Sequence, residues 1–354
     1  MEEDTRPIVE RCIREELKPY VKKIDTEAYY PRDYLTALGR SGLIRSDEQP
    51  LAGVLLRETA LVEETSSVCM TTGFNLWCHL AAVTYLRFSD NAYLRQTILP
   101  QLENGFLLGG TGLSNPMKFY AGLERLHLKA TRCEQGYRIA GTLPMVSNLG
   151  PEHWFGFVAD VAEEDRRIMG VLPCGAEGLQ LREKLGYLAL NGSATYSCEF
   201  DETIVPDRWI VSEQADAFVP RIRPVFVLYQ IPLGLGITDS AIRSIERAEG
   251  KQNGCNRYLG IQVSELIEEL AALRESTYAL CRSVVEPGEV ELKPFLAARL
   301  AAVKLALKAV QADMLHNGGA AYLQSSGPSR RLREAYFLAN LTPTVKHLEK
   351  MLSL

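Results

Sequence analysis

The apolar residues of this chain change their spacing twice, near residues 106 and 206. A helix and a strand cannot share one hydrophobic period, so the chain is divided into three units. In the first unit Val9, Ile13, Leu17 and Val21 recur at helical spacing. PRDYLTALGRSGL predicts a short helix that opens with Pro31 and stops at Gly42. The segments Leu51 to Thr65 and Cys78 to Leu86 keep the 3.6-residue pattern, and TILPQLENG predicts a helix followed by a turn at Asn104-Gly105. From residue 106 the runs are short and separated by turn residues: FLLGGTGLS, LERLHLKAT, GYRIAG, HWFGFVADV, RRIMGVLP, GLQLRE and ATYSCEFD. Several alternate, with Leu126, Leu128 and Ala130 on one face and Arg125, His127 and Lys129 on the other. That pattern predicts antiparallel structure of about seven strands, as a small barrel or paired sheets.

Helical spacing returns after Pro206. PVFVLYQIPLGLGITDSAIRSIERA is too long for a strand and is apolar nearly all round until Asp239, so it predicts one buried helix. Its Gly234 and Gly236 allow a second helix to approach closely. Ser264 to Val284 and Pro294 to Leu315 read as two long amphipathic helices. In the second, Leu296, Leu300, Val303 and Leu307 make the inward stripe, with Arg299, Lys304 and Lys308 away from it. A shorter helix is expected from Ser329 to Phe337. The predicted class is α+β: a helical domain over 1–105, a central antiparallel, barrel-like β domain over 106–213, and a C-terminal four-helix bundle over 214–354.

The 39 basic and 44 acidic side chains leave a net charge of -5, without the positive excess that tracks a phosphate backbone, so nucleic acid is not an expected partner. No run of about 18 uncharged apolar residues predicts a membrane span. The acidic, amphipathic start lacks the apolar core of a signal peptide, and the expected compartment is the cytoplasm. The eight cysteines form no CxxC pair and the five histidines no HxH or HxxxH pair, so no metal site is expected.

Several segments, in order, resemble the acyl-CoA dehydrogenase superfamily. YYPRDYLTALGRSGL and LRFSDNAYLRQTILPQLENG are similar to its first-domain helices, with Phe88 at a usual Gly. GLSNP (112–116) stands where the family has "L-T-E-P", and GTLPMVSN (141–148) where it has "W-I-S/T-N". LGYLALNGSATYSCEFDETIVP, HNGGAAYL and SRRLREAYF resemble later family segments. The resemblance implies an α-β-α fold, FAD as cofactor and a homodimer or homotetramer that closes the site.

A flavin ring needs donors along its N5, O4 and N1–C2=O edge, because hydride arriving at N5 leaves negative charge there. By resemblance, Leu113 and Ser114 on one strand and Val146 and Ser147 on the next would present amides and hydroxyls to that ring, with Ser147 beside N5. Met145 replaces a Trp that packs on the ring, and Gly318 and Gly319 stand at the family's paired glycines and join the cofactor set. Other positions depart from the family. Asn256 replaces an Arg that reaches the pyrophosphate, with Arg257 one step later, and Leu315 replaces a Gln; FMN or an empty site are therefore alternatives to FAD. Thr342, followed by Pro343, stands at the usual catalytic Glu, and Pro224 stands where other members keep theirs. A threonine hydroxyl is no general base without its own activator. His347 and Glu349 are candidate replacements that read more simply as a solvated helix end. Lys118, Phe119 and Tyr120 follow the GLSNP segment where the family is small, and Tyr187, Leu188 and Ala189 occupy its "G-x-R" stretch, so the substrate side is altered too.

Three functions follow. The first is an FAD-dependent oxidoreductase acting on an acyl thioester, on CoA or on a carrier protein, or on a related compound. The second is a flavin-dependent monooxygenase of the same superfamily, which needs no carboxylate base. The third is a non-catalytic scaffold with a degraded flavin site.

Overall fold

The structure is a computed structural model and describes residues 5–46, 49–161, 164–286 and 290–353. Six helices precede the sheet: α1 (Arg6–Cys12), α2 (Val21–Thr26), α3 (Arg32–Arg40), α4 (Leu51–Val68), α5 (Met70–Arg87) and α6 (Leu99–Glu103). The stripe from Val9 to Val21 is not one helix. It passes through a wide turn at Ile13–Leu17 and a tight one at Lys18–Tyr20, where Pro19 removes a backbone donor. Helix α5 extends well beyond the predicted Cys78–Leu86, and all its residues from Met70 to Leu86 are buried. A helix buried on every side must have neighbours on every side. It touches α4 on its own side, the sheet on another, and the C-terminal helices on a third.

The central unit contains β1 (Leu108–Thr111), helix α7 (Ser114–Phe119), β2 (Leu128–Cys133), β3 (Gly136–Val146), β4 (His153–Val161), β5 (Arg167–Pro173), β6 (Leu179–Glu183), β7 (Tyr196–Pro206) and β8 (Ile210–Ser212). The strands run in the order β6-β7-β3-β2-β4-β5-β8, and β1 pairs with β4 off this path. The expectation of purely antiparallel pairing is corrected at two places: β1 and β2 each run parallel to β4. Parallel neighbours need a crossover rather than a hairpin: α7, β2 and β3 lie between β1 and β4, and β3 lies between β2 and β4. The sheet curls around its own core of Leu128, Ile139, Phe155, Phe157, Ile168 and Phe200 without closing into a barrel.

Helices α8 (Ala215–Leu228), α9 (Ile231–Glu246), α10 (Val263–Ser283), α11 (Lys293–Asn317), α12 (Gly327–Asn340) and α13 (Val345–Leu352) complete the chain. The single buried helix predicted after Pro206 is two, α8 and α9, broken at Tyr229-Gln230. Pro232, in the first turn of α9, has no N–H to bond back to Leu228. Both close-approach glycines are used. A Cβ on Gly234 would lie 2.8 Å from the Ala302 carbonyl of α11, and one on Gly236 would lie 2.4 Å from the Glu63 carbonyl of α4.

One amphipathic assignment is overturned. Leu296 and Val303 are buried as expected, but Arg299, expected on the outer side, is fully buried as well. Helix α11 packs against α9 on one side and against α12 and α13 on the other, so a residue off the main stripe still meets protein. Lys304 and Lys308 do point outward, to Glu349 and to Glu265 and Glu269.

Candidate active site

The three units meet around a cavity of about 390 Å³. One wall is aromatic: Phe74 and Trp77 of α5, Phe226 of α8 and Phe337 of α12. These rings fix one another. Phe74 stacks on Trp77 at 5.5 Å and meets Phe337 edge-on at 4.9 Å, and Trp77 meets Phe226 edge-on at 5.0 Å. The Trp77 indole N–H donates to the Phe226 carbonyl at 3.1 Å, so the wall has one spent polar handle and an apolar face.

The same lining carries hydroxyls. Ser147 Oγ lies 2.7 Å from Thr195 Oγ1, which lies 2.7 Å from Ser193 Oγ. Thr111 sits across from Ser147 in a single bridge between strands and shares a 2.5 Å hydrogen bond with Tyr85. Ser114 Oγ lies 2.9 Å from Thr342 Oγ1. Asn148 holds this edge together from behind. It is fully buried, with φ +62, and joins three elements. Its side-chain amide donates to the Gly109 carbonyl at 2.7 Å, its side-chain oxygen accepts from the Tyr30 hydroxyl at 2.6 Å, and its backbone N–H donates to the Ser193 carbonyl at 2.9 Å.

No Asp, Glu or His is among the described residues that line the cavity. Its two cations are already paired. Lys118 donates to Glu124 at 2.8 Å, and Arg333 grips Asp25 through two bonds of 2.8 and 2.7 Å. Burial pushes the Cys78 thiol well above its ordinary pKa, so it stays protonated and is no nucleophile. An aromatic face together with a row of neutral hydroxyl donors suits a flat, uncharged heteroaromatic group with acceptors along one edge, which is what a flavin ring presents.

Of the residues singled out in the sequence, Ser114, Met145, Ser147 and Thr342 are brought together around the cavity. Leu113 and Val146 lie buried beneath it, where only their backbone can serve. Leu113 and Ser114 do not sit on a strand as expected: β1 ends at Thr111, and Ser114 opens α7. Gly318 and Gly319 are exposed at the end of α11 and do not line the cavity. Asn256 is committed to the Ala248 and His316 carbonyls, tying the ends of α9 and α11, while Arg257 stacks on Tyr258 at the surface. Leu315 is exposed.

The two substitutes for the missing base are not at the cavity either. Glu349 is exposed and pairs with Lys304. His347, expected in solvent, is buried, and burial beside Arg223 and Lys350 lowers its pKa to about 4. Lys118, Tyr187, Leu188 and Ala189 do line the cavity. Phe119 does not, and Tyr120 turns away to Asp216. Sequence reasoning missed Phe74, Trp77, Phe226 and Phe337, which look like ordinary core residues along their helices. It also missed the pairing of Thr195 with Ser147, visible only once β7 is placed.

Comparison with known proteins matches residues 1–105 to the family model "Acyl-CoA dehydrogenase, N-terminal domain". Over 94% of this chain and 86% of the other, the sequence is 23% identical to the mitochondrial isovaleryl-CoA dehydrogenase of Oryza sativa subsp. japonica. The fold superposes on butyryl-CoA dehydrogenase from Megasphaera elsdenii with a TM-score of 0.88 at 16% identity, covering 100% of this chain and 98% of that one. It superposes on a dibenzothiophene monooxygenase from Paenibacillus with a TM-score of 0.80 at 15% identity, covering 99% and 96%.

Proposed function

We propose that the chain is a member of the acyl-CoA dehydrogenase superfamily, to which its matches point, and a flavin-dependent oxidoreductase acting on a largely apolar acyl thioester or related compound, with no protein carboxylate as base. The observation that carries this reading is the composition of the cavity: an aromatic wall, a row of hydroxyls, and no Asp, Glu or His among the described lining residues. A bound flavin would supply the two-electron acceptor. Ser147 and Thr195 would hold the acceptor edge of its ring, with Ser114 at a second point and Met145 over the face. Trp77, Phe226 and Phe337 would exclude water and pack the apolar part of the substrate. Thr342 can orient a group through its hydroxyl but cannot accept a proton at neutral pH. The flavin is taken to be FAD, with FMN the alternative, since Asn256 is tied down and Arg257 is occupied at Tyr258.

The same missing carboxylate favours a second reading, oxygenation of the substrate, because that reaction begins without removal of a proton from carbon. We further propose self-association. Tyr258, Leu315, Tyr322 and Leu323 are large, apolar and exposed near the ends of α9 and α11, as a surface covered by a second copy would be.

The test starts with the colour of the purified protein. Absorbance near about 450 nm with stoichiometric flavin on release supports the oxidoreductase, and colourless protein that refuses FAD and FMN overturns it. Anaerobic titration with acyl-CoA thioesters then separates the two reactions. Bleaching selects dehydrogenation. Its absence at every chain length, with rapid reoxidation of the chemically reduced protein by oxygen, selects oxygenation.

A further inference from the structure

Arg299 is a guanidinium with no solvent and no counter-ion. It is 0% exposed, and among the described residues no carboxylate pairs with it. Its Nε donates to Gln230 Oε1 at 2.9 Å and its Nη2 donates to the Leu338 carbonyl at 2.9 Å, while Nη1 has no partner. Burial lowers its pKa to about 9, which still leaves it charged at neutral pH. A buried cation held only by neutral groups is costly, and nearby apolar packing offers a cheaper way to fill the same space. Its partners show where that cost is spent. Gln230, also 0% exposed, turns its other end to the cavity wall and donates Nε2 to the Thr342 carbonyl at 3.0 Å. Thr342 in turn presents its hydroxyl to Ser114 at 2.9 Å. The break between α8 and α9 puts Gln230 in this place, since a continuous helix would have engaged its neighbours in regular turns.

We infer that Arg299 and Gln230 are positioning residues of the active site, an Arg299–Gln230–Thr342 relay that fixes the 338–342 segment so that Thr342 meets Ser114 in the cavity lining. Arg299 clamps both ends of that segment, Leu338 directly and Thr342 through the amide. The amide is needed for its two-sidedness: it accepts from the cation and donates to the carbonyl, which no carboxylate can do. Neither residue touches the cavity, and neither takes part in the chemistry. The inference rests on the reading above only for its spectral readout.

Gln230→Glu separates positioning from packing. The carboxylate gives Arg299 the counter-ion it lacks, so the melting temperature should equal or exceed that of the parent. It cannot donate to the Thr342 carbonyl, so amide hydrogen exchange in residues 338–344 should accelerate about tenfold or more, and the spectrum of bound flavin should shift. A stable Gln230→Glu protein with parental exchange and spectrum overturns the inference. If that variant does not fold, Gln230→Met keeps the volume and drops both polar atoms. Faster exchange confined to 338–344 then supports the relay, whereas equal acceleration in β4 overturns it. The exchange measurement needs no flavin, so a protein that binds none would sink the proposed function and leave this test intact.

Discussion

Ser114 and Thr342, 228 residues apart in the chain, share a 2.9 Å hydrogen bond in the cavity lining, joining the start of α7 to the segment between α12 and α13. The position that resemblance aligns with the family's base thus carries a neutral hydroxyl that already has a partner. Replacing Thr342 by Glu gives the cavity a proton acceptor. In that variant, anaerobic acyl-CoA should bleach the bound flavin at least about 100-fold faster than in the parent. A folded, flavin-loaded Thr342→Glu protein that no acyl-CoA can bleach would exclude acyl thioesters as the substrate class.

Among the described residues the Ser147 hydroxyl bonds to Thr195, at 2.7 Å, and the residue lines the cavity. Ser147→Ala should weaken flavin binding roughly tenfold, the worth of about one hydrogen bond, and alter the visible spectrum. Titration of apoprotein with FAD measures both. Unchanged affinity and spectrum would remove Ser147 from the site.

Asn148→Ala deletes bonds to Gly109 and Tyr30 and leaves a non-glycine residue at φ +62 without side-chain support. Urea denaturation should show a loss of about 2–4 kcal/mol. A loss below about 1 kcal/mol would mean that the hydroxyl edge is held by something else.

Arg87 is buried between two buried carboxylates, donating to Glu58 at 2.8 Å and to Glu103 at 2.9 Å. Arg87→Met leaves both acids without their cation and should cost about 3–5 kcal/mol. The double variant Arg87→Met/Glu58→Gln should recover part of that cost. No recovery in the double variant would show that Arg87 contributes packing rather than charge.

Two buried histidines, one against β1 and one in β4, together with His347, set an acid limit. His79 accepts the Gly109 N–H at 3.0 Å in a site whose burial, with His153 nearby, lowers its pKa to about 3. Burial lowers that of His153 to about 4. Both folded values lie below the unfolded value of about 6.5, so the unfolded chain takes up protons first. Stability is therefore full above that pH and falls as pH drops toward about 4. The melting temperature should decline by roughly 5 °C or more between pH 7 and pH 5. In His79→Asn the decline should be smaller, and an equal decline would point to other groups.

The three-unit order and most helices were legible because burial on one side writes a period into the sequence. The close approach at Gly234 and Gly236 was legible for a related reason: small residues on an apolar helix mark where another backbone passes. Arg299 was misread because periodicity reports one buried face, while α11 is covered on two. Ser114 was placed on a strand because GLSNP continues the apolar texture of β1, and nothing local marks the switch to α7. The parallel pairing around β4 was hidden because strand direction depends on the crossover, not on alternation. Ser114, Ser147 and Thr342, which line one cavity, were singled out through resemblance, yet their hydrogen-bond partners belong to tertiary placement. The aromatic wall was invisible because a ring lining a cavity and a ring filling a core have the same pattern.

Because its lining comes from α5, α7 and the strand ends, α8 and α12, the cavity has no smaller version of itself. Removing any one unit abolishes the site outright. A molecule bound there bridges all three, so each gains from the occupancy of the others, and heat should melt a loaded protein later and more sharply than an empty one.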